Sequence, residues 1–311
     1  MTRRELFSGA AAAGAAAASP LFAKTRIRRS AISAITDEIG KTPEDSLAFA
    51  KRYELQWIEL RSVPGNRQEY AFLPEAAVKA AAVGYAERKL RVSFLNTSLL
   101  KFSWPGTEPV RRRAETPEAK AKRIETEGKR FGNRLEDLKH AIRSAHILGA
   151  DRIRVFTGLR VDDPRSLFPR IADVIGEMTQ IAEREKVTLL VENEGSCNIG
   201  TSAELADFLK LVPSKALGLN WDPQNELGLK QIPFPDGYNL LPKKRIGNVQ
   251  IKGKGIMPGS PERLDWKAIL QALQNDGYSQ RIGLETHIFD GTLIEAAHVS
   301  IKEILRIVDE I

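Results

Sequence analysis

From Arg28 onward the chain changes character eight times, passing each time from a short apolar run to a longer amphipathic one. The strand-like runs are 31–36, 56–61, 90–96, 152–156, 188–192, 216–221, 248–252 and 281–285. Helical periodicity fills 43–53, 74–88, 117–148, 165–186, 201–210, 238–245 and 265–275, and a last helix is predicted at 292–309. Pro43 with Glu44 and Asp45, and the quartet Thr201-Ser202-Ala203-Glu204, have the composition of helix starts, where a fixed φ or a side-chain oxygen suits a first turn with free N–H groups. Eight successive β-α units point to parallel strands closed on themselves with helices outside. The expected fold is therefore of the α/β class, a single (β/α)8 TIM barrel with an extended loop and helix after strand 3. A chain of 311 residues, 42% hydrophobic, is long enough for one such core.

In that fold the C-terminal strand ends form the active face, and side chains two apart share a side of their strand. "LLVENEG" carries Glu192 and Glu194 at such an end, "LGLNWD" finishes at Asp222, "NVQIK" holds Gln250 and Lys252, and "RIGLETH" holds Glu285 and His287. A buried carboxylate is costly unless it protonates, pairs or binds a metal. One such residue can cap its own strand or pair with a nearby Arg or Lys. Three carboxylates and an amide on four consecutive strands favour a shared partner: Glu192, Asp222, Gln250 and Glu285 would meet near the barrel axis and offer four oxygen ligands to one hard divalent cation, Mg²⁺ or Mn²⁺ first.

The strand motifs "VENEG", "LNWDPQN", "VQIKGKG" and "IGLETH" resemble those of the sugar phosphate isomerase/epimerase family with the xylose isomerase-like TIM barrel, and the resemblance covers essentially all of the chain after its N-terminal segment. It implies a metal held by Glu, Asp, His and Glu at the ends of strands five to eight, with the two glutamates flanking the substrate carbon as acid and base. Glu192, Asp222 and Glu285 match that pattern. Gln250 stands where such enzymes usually carry His, and Glu194 where relatives often place His. An amide oxygen is a weaker, neutral ligand, which shifts preference toward Mg²⁺, Mn²⁺ or Ca²⁺, with Co²⁺ and Zn²⁺ next in line. The implied reaction is isomerisation or epimerisation of a sugar or keto-sugar by proton transfer through an enediolate, with Glu192 and Glu285 as acid and base, and the position of His287 beside Glu285 adds it as a candidate catalytic residue. The same apparatus would serve a lyase or dehydratase acting on a keto-sugar or 3-keto-glycoside. A non-catalytic carbohydrate-binding barrel is the third reading, and Gln250 is its only hint.

Other residues belong at the same barrel end. Glu59 and Arg61 close strand two and Asn96 follows strand three, where each would either hydrogen-bond sugar hydroxyls or serve the fold. Glu194 and Lys252 would face substrate or pair with neighbours, His287 would shuttle protons or orient a ligand, and Trp104, in the long segment after strand three, would close over a sugar ring. Trp57, Trp221 and Trp266 are expected in the core or under helices, and His140 and His146 as ordinary helix residues.

Composition removes several alternatives. The net charge of +7 comes from basic residues interleaved with acids, as in "RRRAETPEAKAKRIETEGKR", so no nucleic-acid partner is expected. Barrel nucleases need a His-rich trinuclear zinc site, which four histidines, two of them on one helix, do not supply. The single Cys197 forms no intramolecular disulfide and is expected to be inert. Residues 1–23 stand apart: Arg3 and Arg4, a weakly apolar Ala-rich stretch, then Leu21-Phe22-Ala23 before Lys24 have the organisation of a signal peptide of twin-arginine type. The expectation is export to the periplasm, a barrel spanning 24–311, no stable membrane insertion afterwards and a small carbohydrate as partner. N-terminal sequencing of protein recovered from the periplasm of the native host is expected to begin near Lys24, and an intact Met1–Ala23 segment there would overturn the cleavage.

Overall fold

The structure, a computed structural model, describes residues 26–110 and 114–311; the expected signal peptide, 1–23, lies outside the described residues. Its strands are β1 (Ile32–Ala34), β2 (Trp57–Leu60), β3 (Arg91–Leu95), β4 (Arg152–Val155), β5 (Thr188–Glu192), β6 (Leu217–Trp221), β7 (Ile246–Lys252) and β8 (Arg281–Glu285). They pair in parallel in the order β1-β8-β7-β6-β5-β4-β3-β2. β1 and β2 meet through one bridge, Ile35 to Glu59, which brings the sheet round into the expected (β/α)8 barrel. β3 and β4 are also joined narrowly, by the pair Leu95 and Ile153. Two side-chain bonds supplement that pair: Thr97 Oγ1 donates to the Arg154 carbonyl and Arg154 Nε to the Thr97 carbonyl.

Helices cover the outside. Both sequence-read starts are capping boxes, Thr42 with Asp45 ahead of helix Pro43–Arg52 and Thr201 with Glu204 ahead of helix Ser202–Leu211. The single helix expected over 117–148 is two, Pro117–Gly132 and Arg134–Leu148, separated at Asn133. Asn133 keeps a near-helical backbone, φ −85° and ψ −1°, and closes one helix while opening the next. Helix Pro117–Gly132 buries none of its side chains, whereas the second helix buries Leu138, Ala141, Ile142, Ala145 and Leu148. The helix expected over 238–245 shrinks to a turn at Tyr238–Leu240 and a 3-10 turn at Lys243–Arg245, and β7 starts at Ile246 rather than 248. Pro242 explains this, since it lacks an N–H and disfavours helical backbone at Leu241. No helix of the described residues is long and apolar enough to cross a membrane.

The long segment after β3 lies along the loops that follow β4 and β5. Phe156, Gly158 and Leu159 donate backbone N–H groups to the carbonyls of Leu99, Leu100 and Phe102, and Val110 donates to Arg160. A bridge from Leu159 to Cys197 carries the pairing on to the β5 loop. Cys197 is fully buried, and burial pushes its thiol up to about 12, which makes it the inert residue expected. Trp104 corrects the sequence reading: it is only 1% exposed, with its ring 5.5 Å from that of Phe131. Packed between Phe131 and Gly158, it anchors the loop rather than closing over a sugar. Trp221 and Trp266 are core residues as expected, while Trp57 is half-buried between the guanidinium groups of Arg91 and Arg281, 3.9 and 4.2 Å from its ring.

The Trp104 slot exists because residue 158 is glycine. Its φ is +75°, and a Cβ there would lie 2.1 Å from the indole. Gly158→Ala is therefore expected to lose about 2–4 kcal/mol from combined backbone strain and overpacking, read from urea unfolding; unchanged stability would contradict this packing.

Candidate active site

Alternation along each strand turns a polar set inward. Glu192 ends β5, Asp222 follows β6 and Glu285 ends β8; all three are buried, and one oxygen from each lies within 4.8 Å of the others. Each is held through one oxygen. Glu192 Oε2 accepts from Arg154 at 2.9 Å and from Asn220 Nδ2 at 2.9 Å. Asp222 Oδ1 caps the short helix Pro223–Leu227 by accepting from the Asn225 N–H at 3.1 Å. Glu285 Oε1 accepts from Arg61 at 2.9 Å.

The second oxygens are far less engaged. Glu285 Oε2 has no hydrogen-bond partner among the described residues, and neither has Oε1 of the fully buried Gln250, whose Nε2 donates to Glu59 at 2.7 Å. Asp222 Oδ2 faces the Lys252 ammonium, at 3.1 Å. Glu192 Oε1 has a long 3.5 Å contact from Asn225. Buried acceptors without donors are costly. Carboxylate and amide oxygens with spare lone pairs are the donor set of a hard divalent cation, so the residues present fit the implied metal.

Cations from other strands make this crowding tolerable. Arg61 follows β2, Arg154 is on β4 and Lys252 ends β7. Burial works against the charge of Glu285, but Lys252 and Arg61 hold its carboxyl well below the usual range. Burial pushes Asp222 up, against the pull of Lys252. The Lys252 ammonium, though desolvated, is held charged by Asp222 and Glu285.

The other sequence-read residues divide into two levels. Arg61 is at the mouth and fully engaged: Nε and one terminal nitrogen reach Asp37 at 3.0 and 2.9 Å, and it also pairs with Glu38 at 2.6 Å and with Glu285. His287, in a left-handed conformation at φ +50°, donates its backbone N–H to Glu38 at 2.6 Å, with Nδ1 3.4 Å from Glu38 and 3.6 Å from Glu285. Burial opposes protonation of His287, yet the Glu38 hydrogen bond and the field of Glu285 raise its pKa. Glu194 pairs with Lys101 at 2.9 Å; burial works against its charge, and Lys101 with Lys252 brings its carboxyl down to about 2.

Glu59 and Asn96, expected at sugar hydroxyls, lie deeper, both with zero exposure. Glu59 accepts from Ser33 at 2.8 Å, Asn96 at 3.0 Å, Gln250 at 2.7 Å and Asn248 at 3.4 Å, so protein donors fill its oxygens. Burial raises its pKa against the effect of these donors. Gly283 makes the room, since a Cβ there would lie 1.9 Å from Glu59 Oε1. Sequence reading missed Asp37, Glu38, Lys101, Arg154, Asn220 and Asn225. The available signals were the pair Asp37-Glu38 just after the first run, in "AITDEIG", and a charge inside the fourth, in "RIRVF".

The same architecture occurs in solved structures. The IOLI protein with a bound zinc atom matches with a TM-score of 0.65 at 16% identity, over 90% of this chain and 98% of that one. The 3-keto-D-glucoside 4-epimerase YcjR from E. coli matches with a TM-score of 0.65 at 13% identity, over 89% and 98%. A xylose isomerase-like TIM barrel protein from Mycobacterium smegmatis in complex with magnesium matches with a TM-score of 0.64 at 18% identity, over 90% and 96%. At these identities the likeness is one of fold. No curated protein sequence matches the chain significantly. The sequence model of one family, described as xylose isomerase-like TIM barrel, matches residues 47–310. The chain belongs to the xylose isomerase-like TIM barrel family.

Proposed function

We propose that the protein is a divalent-metal-dependent isomerase or epimerase that moves a proton on a sugar or keto-sugar, and that it works after export. One observation carries the catalytic reading: carboxylates at the ends of β5, β6 and β8 converge within 4.8 Å, and Glu285 keeps a buried oxygen that no donor among the described residues satisfies. The 3-keto-D-glucoside epimerase with this fold supports a keto-sugar as substrate. The export reading rests on Arg3, Arg4 and the Ala-rich stretch after them.

Glu192, Asp222, Gln250 and Glu285 would hold the cation. When bound, it supplies Lewis acidity to the substrate oxygens. The protein's own groups do the rest. Glu192 and Glu285 come from strands three apart round the barrel, so a substrate carbon between them has a carboxylate on either side, one to remove its proton and one to return it. Arg154 and Arg61 each grip one oxygen of these carboxylates, which fixes their orientation. His287, beside Glu285 and 40% exposed at its side chain, connects that carboxylate to the mouth.

The test is deuterium wash-in from D₂O, using Mn²⁺-loaded protein and a panel of neutral ketoses, 3-keto-glycosides and inososes. One carbon-bound hydrogen is expected to exchange even without net turnover. Glu192→Gln and Glu285→Gln are each expected to abolish exchange while preserving the fold, and Asp222→Ala to lose the metal by elemental analysis. Near-normal exchange in both glutamine variants with metal bound would overturn the mechanism. His287→Ala separates two roles: a loss on the order of 10²-fold to 10⁴-fold marks a proton carrier, and a small loss marks a group that only orients Glu285.

A further inference from the structure

A carboxamide is an ambiguous ligand. Its oxygen can bind a cation and its NH₂ cannot, and the two ends have almost the same shape. Nothing in the Gln250 side chain itself selects which end is left free for a cation. What selects it is beneath. Nε2 of Gln250 donates to Glu59 at 2.7 Å, and this leaves Oε1 as the free end.

We infer that Glu59 is a positioning residue whose buried carboxylate turns the Gln250 oxygen toward the metal site. Four donors, Ser33 Oγ, Asn96 Nδ2, Gln250 Nε2 and Asn248 Nδ2, aim at its two oxygens, so both act as acceptors. An acceptor-only partner forces the amide to present NH₂ downward. A neutral partner at 59 would present a donor as well, and either end of Gln250 would then fit. The same carboxylate sets the sense of a second chain. Asn248 donates to Glu59 and, at 3.0 Å, to Asn220 Oδ1, and Asn220 donates to Glu192 Oε2. The space for this arrangement comes from Gly283, the β8 residue opposite Gln250 in the β7–β8 register.

The inference rests on the proposed metal site, and its test separates the two. Mn²⁺ is titrated calorimetrically into wild type, Glu59→Gln, Gln250→Ala and the double variant, each checked for cooperative unfolding. Outer partners of metal ligands typically contribute about 10-fold to 100-fold in affinity. Glu59→Gln is expected to weaken Mn²⁺ binding by about that factor in the wild-type background and by less than about threefold in the Gln250→Ala background. An equal loss in both backgrounds, or no loss in either, would overturn the role. If Glu59→Gln does not fold, Glu59→Asp takes its place, since it keeps an acceptor-only group but draws it away from Gln250.

A metal-free readout covers the case in which wild type binds no Mn²⁺ and the functional reading fails. In protein labelled with ¹⁵N at glutamine side chains, the signal missing from Gln250→Ala identifies the Gln250 NH₂. Its hydrogens are expected to exchange slowly with water in wild type and faster in the Glu59 variant. The same exchange in both would sink the positioning role independently of any metal.

Discussion

The 2.9 Å contact between Arg154 and Glu192 is the interaction on which the interior depends. Three carboxylates within 4.8 Å repel one another strongly in a buried site, on the order of 4 kcal/mol per pair at 4 Å for an effective dielectric constant of 20. The barrel distributes counter-charge among them, Arg154 on β4 beside Glu192, Lys252 on β7 beside Asp222, and Arg61 after β2 beside Glu285. Guanidinium suits this duty, since it stays charged when desolvated and grips a carboxylate oxygen in a fixed direction. Glu192 and Glu285 are thereby each gripped at one oxygen and far less engaged at the other. A barrel filled with branched aliphatic layers would be easier to fold, but it would have nothing to support such a cluster from below.

The fold was readable because both of its periodicities are strong. Eight apolar runs with amphipathic connections leave little besides a parallel barrel, and all eight strands appear where the runs lie. The errors fell where local chemistry opposes a continuing pattern, at Gly132-Asn133 and at Pro242. The acids of the site were legible because each closes an apolar run, where a carboxylate has no other excuse. Alternation reveals which face a side chain takes and not how far down the barrel it sits. Glu59 on β2 and Arg61 just past its end are two residues apart, yet one lies sealed under the cluster and the other at the mouth. Arg154 escaped notice because a charged residue in "RIRVF" has the look of a solvated face. Asp37, Glu38 and Lys101 lie in connecting segments, which carry no period.

The segment after β3 shows how an irregular stretch becomes part of the site. Its backbone pairs with the loop after β4, which in turn pairs with the loop after β5, and Trp104 fixes it from below against Gly158 and Phe131. Held in that way it delivers Lys101 to Glu194, 2.9 Å away, and sets the Lys101 ammonium over the Phe156 ring at 4.5 Å. The indole therefore acts on the mouth through the lysine three residues before it.

The narrow join between β1 and β2 turns the barrel into a hoop with a clasp. Where neighbouring strands share a ladder, tension round the sheet is spread over several backbone bonds; here a single bridge carries it, Ile35 to Glu59. Side chains fasten the remainder: Ser33 on Glu59, Arg61 on Asp37 and Glu38, and the Ser62 N–H directed at Asp37 Oδ1. These are the residues that line and underlie the cluster. The clasp and the site are thus one object, so the mechanical integrity of the ring and the alignment of its chemistry rise and fall together.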